Sequence, residues 1–109
     1  MCDFNNLHAN ENGFILRCRQ CGYYQIGFAG MMLLVNQEDY EKFSLMIEHI
    51  SENQPMPENS DCRQLVIPTP YFGVNLLLSK TQIDALQQLI FRADSEQVAQ
   101  SMMAMLSHG

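Results

Sequence analysis

Twice along this chain an alternating apolar pattern gives way, at a capping residue, to an apolar pattern of helical period. That change constrains the fold more than any other feature, because period two suits a half-buried strand and period 3.6 an amphipathic helix. Leu33-Leu34-Val35-Asn36 precedes Tyr40, Phe43 and Ile47, while Leu76-Leu77-Leu78-Ser79 precedes Ile83, Leu86 and Ile90 at a constant offset of 43 residues. Upstream, Phe14, Leu16 and Cys18 alternate with Ile15 and Arg17, then Tyr24, Ile26 and Phe28 alternate with Gln25 and Gly27. In the second half, Phe72, Val74, Leu76 and Leu78 continue the same alternation. Residues 13–50 and 62–93 therefore read as two versions of one unit, a β-hairpin followed by a helix. The recurrence of Cys18-Arg19-Gln20 as Cys62-Arg63-Gln64 fits an internal duplication, although short strand-helix units also converge.

Both helix starts carry chemical signals. Asn36 can accept the orphan amides of a first turn, and Glu38 and Asp39 lie near the positive end of its dipole. Ser79-Lys80-Thr81-Gln82 fits a capping box, in which the Ser and Gln side chains each satisfy the other residue's amide. Ser51 to Asp61, with Pro55 and Pro57, reads as a surface connector. Val98, Met102 and Met105 form a further stripe with Leu106 beside it, and Asp94 or Ser95 is placed to cap its start. The expected architecture is α+β: two β-hairpin-plus-helix units sharing one core, followed by a short C-terminal helix, in a single domain over residues 1–109.

Charge narrows the range of partners. Six Lys plus Arg against twelve Asp plus Glu leave a formal charge of −6, with no basic run to follow a phosphate backbone. No nucleic-acid partner is expected. The longest apolar stretch, Ala29 to Val35, is far short of the ~20 residues a membrane helix needs, so no membrane partner is expected either. The N-terminus shows neither a basic leader nor an apolar signal core, and a cytoplasmic protein with reduced cysteines is the expectation.

Four cysteines are present: Cys2, Cys18, Cys21 and Cys62. Cys18-Arg19-Gln20-Cys21-Gly22 is half of a zinc site, since two thiolates spaced this way can turn onto one ion. Cys2 and Cys62 are the economical remaining ligands for a closed structural zinc centre, with His8 as a substitute for one of them. Two other readings stand beside it. The cysteines can be small buried hydrophobes, or Cys18 and Cys21 a redox dithiol, although the motif joins strands and does not open a helix.

Catalytic signals are weaker. Glu38, Asp39 and Glu41 form an acidic helix start that capping and solubility explain. His49 suits the negative end of the first helix dipole. Gly27-Phe28-Ala29-Gly30 lacks the longer Gly-Lys-Ser/Thr arrangement of a phosphate loop. No Ser/His/acid arrangement is visible.

The order Glu11-Asn12-Gly13-Phe14, Cys18-x-x-Cys21, Tyr24-Gln25-Ile26-Gly27-Phe28 resembles a family of small uncharacterised proteins from Bacteroidetes bacteria. Their pattern is an early Cys, a CxxC, a Tyr-Gln-Leu-like strand with a Phe-Gly step, and an amphipathic helix. Ala29-Gly30 after Gly27-Phe28 departs from that step. The resemblance implies no reaction and no catalytic set. The expected function is a non-enzymatic structural or protein-interaction module that associates with itself or another protein. The alternatives are a small zinc-stabilised domain and a small-molecule enzyme.

Overall fold

A computed structural model describes residues 2–53, 61–63 and 65–107. Four strands, β1 (Phe4–Asn10), β2 (Gly13–Cys18), β3 (Tyr24–Phe28) and β4 (Met31–Val35), form an antiparallel meander in chain order. Helix α1 (Gln37–Asn53) follows, then a separate two-stranded hairpin of β5 (Leu65–Pro68) and β6 (Asn75–Leu78), and last helix α2 (Lys80–Ser107). The class is α+β, as the two changes of period imply. Segments β3-β4-α1 and β5-β6-α2 are both hairpins followed by a helix.

The core forms where the two helices meet one face of the strands. Register aligns Ile15 with Ile26 and Ile26 with Leu33, so these side chains share a face. They join Tyr40, Phe43 and Ile47 of α1, Ile83, Leu86, Leu89 and Ile90 of α2, and Ile67, Leu76 and Leu78 of the hairpin in one buried cluster. All six helix positions matched at the 43-residue offset are buried. In β2 it is Ile15 that is fully buried, while Phe14 and Leu16 on the opposite face are half-buried.

The caps form as their side-chain chemistry requires. Asn36 Oδ1 accepts the Asp39 amide at 2.8 Å. Ser79 Oγ accepts the Gln82 amide at 3.0 Å, and Gln82 Oε1 accepts the Ser79 amide at 3.0 Å. Each satisfies donors that a helix start would otherwise leave open.

Three expectations need correction. The short C-terminal helix is not separate: α2 runs unbroken through Asp94 and Ser95. Asp94 accepts a hydrogen bond from Tyr40, Ser95 Oγ donates back to the Phe91 carbonyl, and no Gly or Pro intervenes to stop the helix. Phe72 and Val74 lie before β6 in the turn of the hairpin, where Gly73 has a φ of +79°. Cys62 sits in the exposed turn at 61–63 and not in a strand. The expected connector is shortened by α1 reaching Asn53, and its Pro55 and Pro57 lie outside the described residues.

The meander's edge strand β4 is tied to the hairpin, because Tyr71 Oη donates to the Leu34 carbonyl. That bond occupies an edge acceptor that would otherwise be open to another strand. At the far end of the same hairpin, Lys80 Nζ donates to the Ser51 carbonyl (2.6 Å) and to Asp84 Oδ1 (2.7 Å). The last turn of α1, negative by its dipole, is thereby held to the first turn of α2.

Candidate metal centre

The turn between β2 and β3 builds the site. Cys18 closes the ladder by donating its amide to the Tyr23 carbonyl at 2.8 Å, and its own carbonyl accepts the Gly22 amide at 3.0 Å. Gly22 takes a φ of +78°, a left-handed conformation that is costly for residues with a Cβ, so glycine follows the second cysteine for a backbone reason. This fold of the chain points the Cys21 amide at Cys18 Sγ, 3.4 Å away.

Cys2 is carried to the site by strand β1, which lies outside the two units that the sequence pattern predicts. Only Leu7 of β1 is buried, so no strong periodicity marks the strand. Pairing supplies what patterning lacks. Phe4 sits opposite Cys18, and Arg19 donates its amide to the Asp3 carbonyl at 2.9 Å. An antiparallel partner must bring the start of β1 to the end of β2, which is where the turn lies. Asp3 also donates its amide to Gln20 Oε1 at 2.7 Å.

Three sulfurs converge as a result. Cys2, Cys18 and Cys21 have their Sγ atoms within 4.8 Å of one another, and Cys2 Sγ lies 3.7 Å from Cys21 Sγ. Cys18 is buried; Cys2 and Cys21 are exposed. The Cys21 amide pulls the Cys18 pKa down to about 6 against the opposing effect of its burial. Cys2, hydrogen-bonded to Cys18 and then to Cys21, is pushed up to about 11. Within the cluster, negative charge is therefore favoured on Cys18. Arg17 and Arg19 line the cleft beside the sulfurs, together with Gln97 and Gln100 of α2.

Cys62 is not in this group. Its neighbour Asp61 accepts from Thr81 Oγ1 at 3.1 Å, in the first turn of α2, whereas Ser101 of the same helix lines the cysteine cleft. The helix between Thr81 and Ser101 spans roughly 30 Å at 1.5 Å per residue, far beyond the reach of a thiol. His8 sits opposite Ile15, well along β1 from the Phe4–Cys18 pair. His49, exposed on α1, is 3.2 Å from Asn53 Nδ2. Among the described residues, no other group of three or more His, Cys, Asp and Glu ligand atoms gathers this closely.

The features together define a small α+β protein with a three-thiol cluster at a strand turn. The chain belongs to a family of unknown function, DUF6686, whose profile matches residues 1–107. No curated protein and no solved structure matched it. No helix among the described residues is long and apolar enough to cross a membrane.

Proposed function

We propose that this protein is a non-enzymatic interaction module whose fold is stapled by a zinc ion bound to Cys2, Cys18 and Cys21. The observation that carries the reading is the sulfur spacing. Zinc–thiolate bonds of about 2.3 Å set tetrahedral S···S edges of about 3.8 Å, and the Cys2–Cys21 separation is 3.7 Å. The Cys21 amide directed at Cys18 Sγ offsets thiolate charge, as a metal ligand's surroundings should. Thiolate donors select soft or borderline ions, and zinc needs no redox partner.

Three thiolates leave one vertex of a tetrahedron to a group from outside the cluster. The role is a staple: the ion ties the start of β1 to the β2–β3 turn, beside the point where Asn5 donates to Gln100 of α2. Reading the chain as a cytoplasmic protein of Bacteroidetes keeps the thiols reduced and available. The enzyme alternative would call for convergent general acids and bases, and His8 and His49 stand on separate elements.

Elemental analysis of protein purified without chelator tests the proposal. One zinc per chain is expected, with loss of zinc on Cys2→Ser, Cys18→Ser or Cys21→Ser and full retention on Cys62→Ser. Zinc that binds only the native state stabilises it by about 4 kcal/mol at a free concentration a thousandfold above Kd. Chelation should therefore lower Tm, and zinc should restore it. Protein that folds without metal and shows the same Tm with and without zinc would refute the staple.

A further inference from the structure

Two of the three sulfurs are set for a reaction that needs no ion. Cys2 Sγ and Cys21 Sγ are 3.7 Å apart, and both residues are exposed. A disulfide closes to about 2.05 Å, so the two side chains together have to travel only about 1.7 Å. The backbone beside each is already tied. Asp3, next to Cys2, accepts the Arg19 amide at 2.9 Å and donates its own amide to Gln20 Oε1 at 2.7 Å, and Gln20 adjoins Cys21. Cys18 differs: it is 1% exposed, and its sulfur accepts the Cys21 amide and donates to Gln20 Oε1, both at 3.4 Å. Cys18 and Cys21 line an open cleft of about 550 Å3, roomy enough for a small reagent, and of the two only Cys21 is exposed.

We infer that Cys2 and Cys21 form a reversible disulfide by exchange with a low-molecular-weight disulfide, a covalent staple that takes the place of the ion. The thiolate of one exposed cysteine attacks a sulfur of the small disulfide, forming a mixed disulfide and expelling one thiolate. The sulfur of the other cysteine then attacks the protein sulfur of that mixed disulfide, and the second thiolate leaves. Two protein thiols are oxidised, the small disulfide is reduced to two thiols, and two protons pass from the cysteines to the leaving groups. The exchange proceeds on the metal-free chain. Where zinc is bound, the leaving thiolates take their protons from solvent, and the ion, left with Cys18 alone, dissociates. The new bond closes the loop from Cys2 to Cys21 around the β1–β2 hairpin and so removes freedom from the unfolded chain.

Trypsin cuts after Arg17 and Arg19, which puts Cys2, Cys18 and Cys21 on separate peptides. The reduced, metal-free full chain, treated with 2-hydroxyethyl disulfide, alkylated and mapped by mass spectrometry, should show a Cys2–Cys21 bond within one chain. That bond should exceed every pair that includes Cys18 by about tenfold or more, and dithiothreitol should reverse it. In urea the preference should vanish, because Cys18 and Cys21 then close the shorter loop. The oxidised chain should melt ~5–10 °C above the reduced metal-free chain, and Cys62→Ser should change none of this. If circular dichroism shows the metal-free chain unfolded, the same mapping on the zinc-loaded chain decides. Zinc-loaded protein should release one ion per bond formed, read with a chromophoric chelator. A chain that binds no zinc sinks the zinc staple alone, since the mapped bond decides the disulfide. A native product dominated by Cys18–Cys21, by bonds between chains or by persistent mixed disulfides overturns the inference, as does an oxidised chain that melts no higher than the reduced one.

Discussion

The ring of Tyr24 lies flat on the ring of Tyr40, with centroids 3.8 Å apart and planes 3° from parallel. One tyrosine comes from β3 and the other from α1, and each phenol reaches on to α2. Tyr24 Oη donates to Gln97 Oε1 at 3.0 Å, and Tyr40 Oη donates to Asp94 Oδ1 at 2.8 Å. The Arg17 guanidinium sits 5.3 Å from the centroid of the Tyr24 ring. Four elements are thus joined through one stack, which lies in the wall of a groove between α1 and α2.

The stack makes folding sensitive to alkali. Burial first, then the Asp94 carboxylate, hold the Tyr40 hydroxyl well above its ordinary pKa of 10.0. Its folded pKa is raised, so above pH 10 the unfolded chain loses this proton while the native chain keeps it. Stability should therefore fall as pH rises past 10. Urea denaturation across that range should show a shallower alkaline fall for Tyr40→Phe than for wild type, because the variant has no proton to lose there.

Phe43 and Leu86 are the matched positions of the two helix faces, exposed by 3% and 0%. Replacing either with Ala should cost about 2–5 kcal/mol, the lost transfer energy plus the cavity left behind. Leu45, on the outer face of α1, is 67% exposed, and Leu45→Ala should cost less than ~0.5 kcal/mol. Chemical denaturation at low protein concentration measures all three.

Lys80 and Lys42 both pair with a carboxylate four residues away, at 2.7 Å and 3.0 Å, but in different surroundings. The Lys80 side chain is 10% exposed and also serves the Ser51 carbonyl, whereas the Lys42 side chain is 71% exposed. Lys80→Met should destabilise by about 1–2 kcal/mol, since two acceptors lose their donor. Lys42→Met should change stability by less than ~0.5 kcal/mol, as solvent-screened pairs do. Thermal unfolding of the two variants separates the cases.

Ala29 and Gly30 make the two-residue turn between β3 and β4, and both take positive φ, 52° and 77°. An Asn-Gly pair fits that turn better, because asparagine tolerates the left-handed region and alanine strains in it. Ala29→Asn should raise stability by about 0.5–1 kcal/mol in urea denaturation. A loss of stability would mean that the turn gains from Ala29 in a way its backbone does not reveal.

Much of the fold is legible from residues close together in the chain. The caps at Asn36 and Ser79, the buried faces of Tyr40/Phe43/Ile47 and Ile83/Leu86/Ile90, and the Cys18-to-Gly22 turn depend on neighbours within a few positions. Side-chain chemistry and periodicity determine them there. The rest depends on partners distant in sequence. Strand β1 has little pattern of its own and exists through its ladder with β2, and that ladder alone brings Cys2 to Cys18 and Cys21. Cys62 shares the local sequence of Cys18, yet lies at the other end of α2, because sequence recurrence does not specify where two units meet. The unbroken run of α2 was legible in the absence of Gly and Pro, but the capping potential of Asp94 and Ser95 argued against it. Tertiary contact decided the matter by giving Asp94 to Tyr40. A local signal states what a side chain can do, and the packed fold determines which partner it reaches.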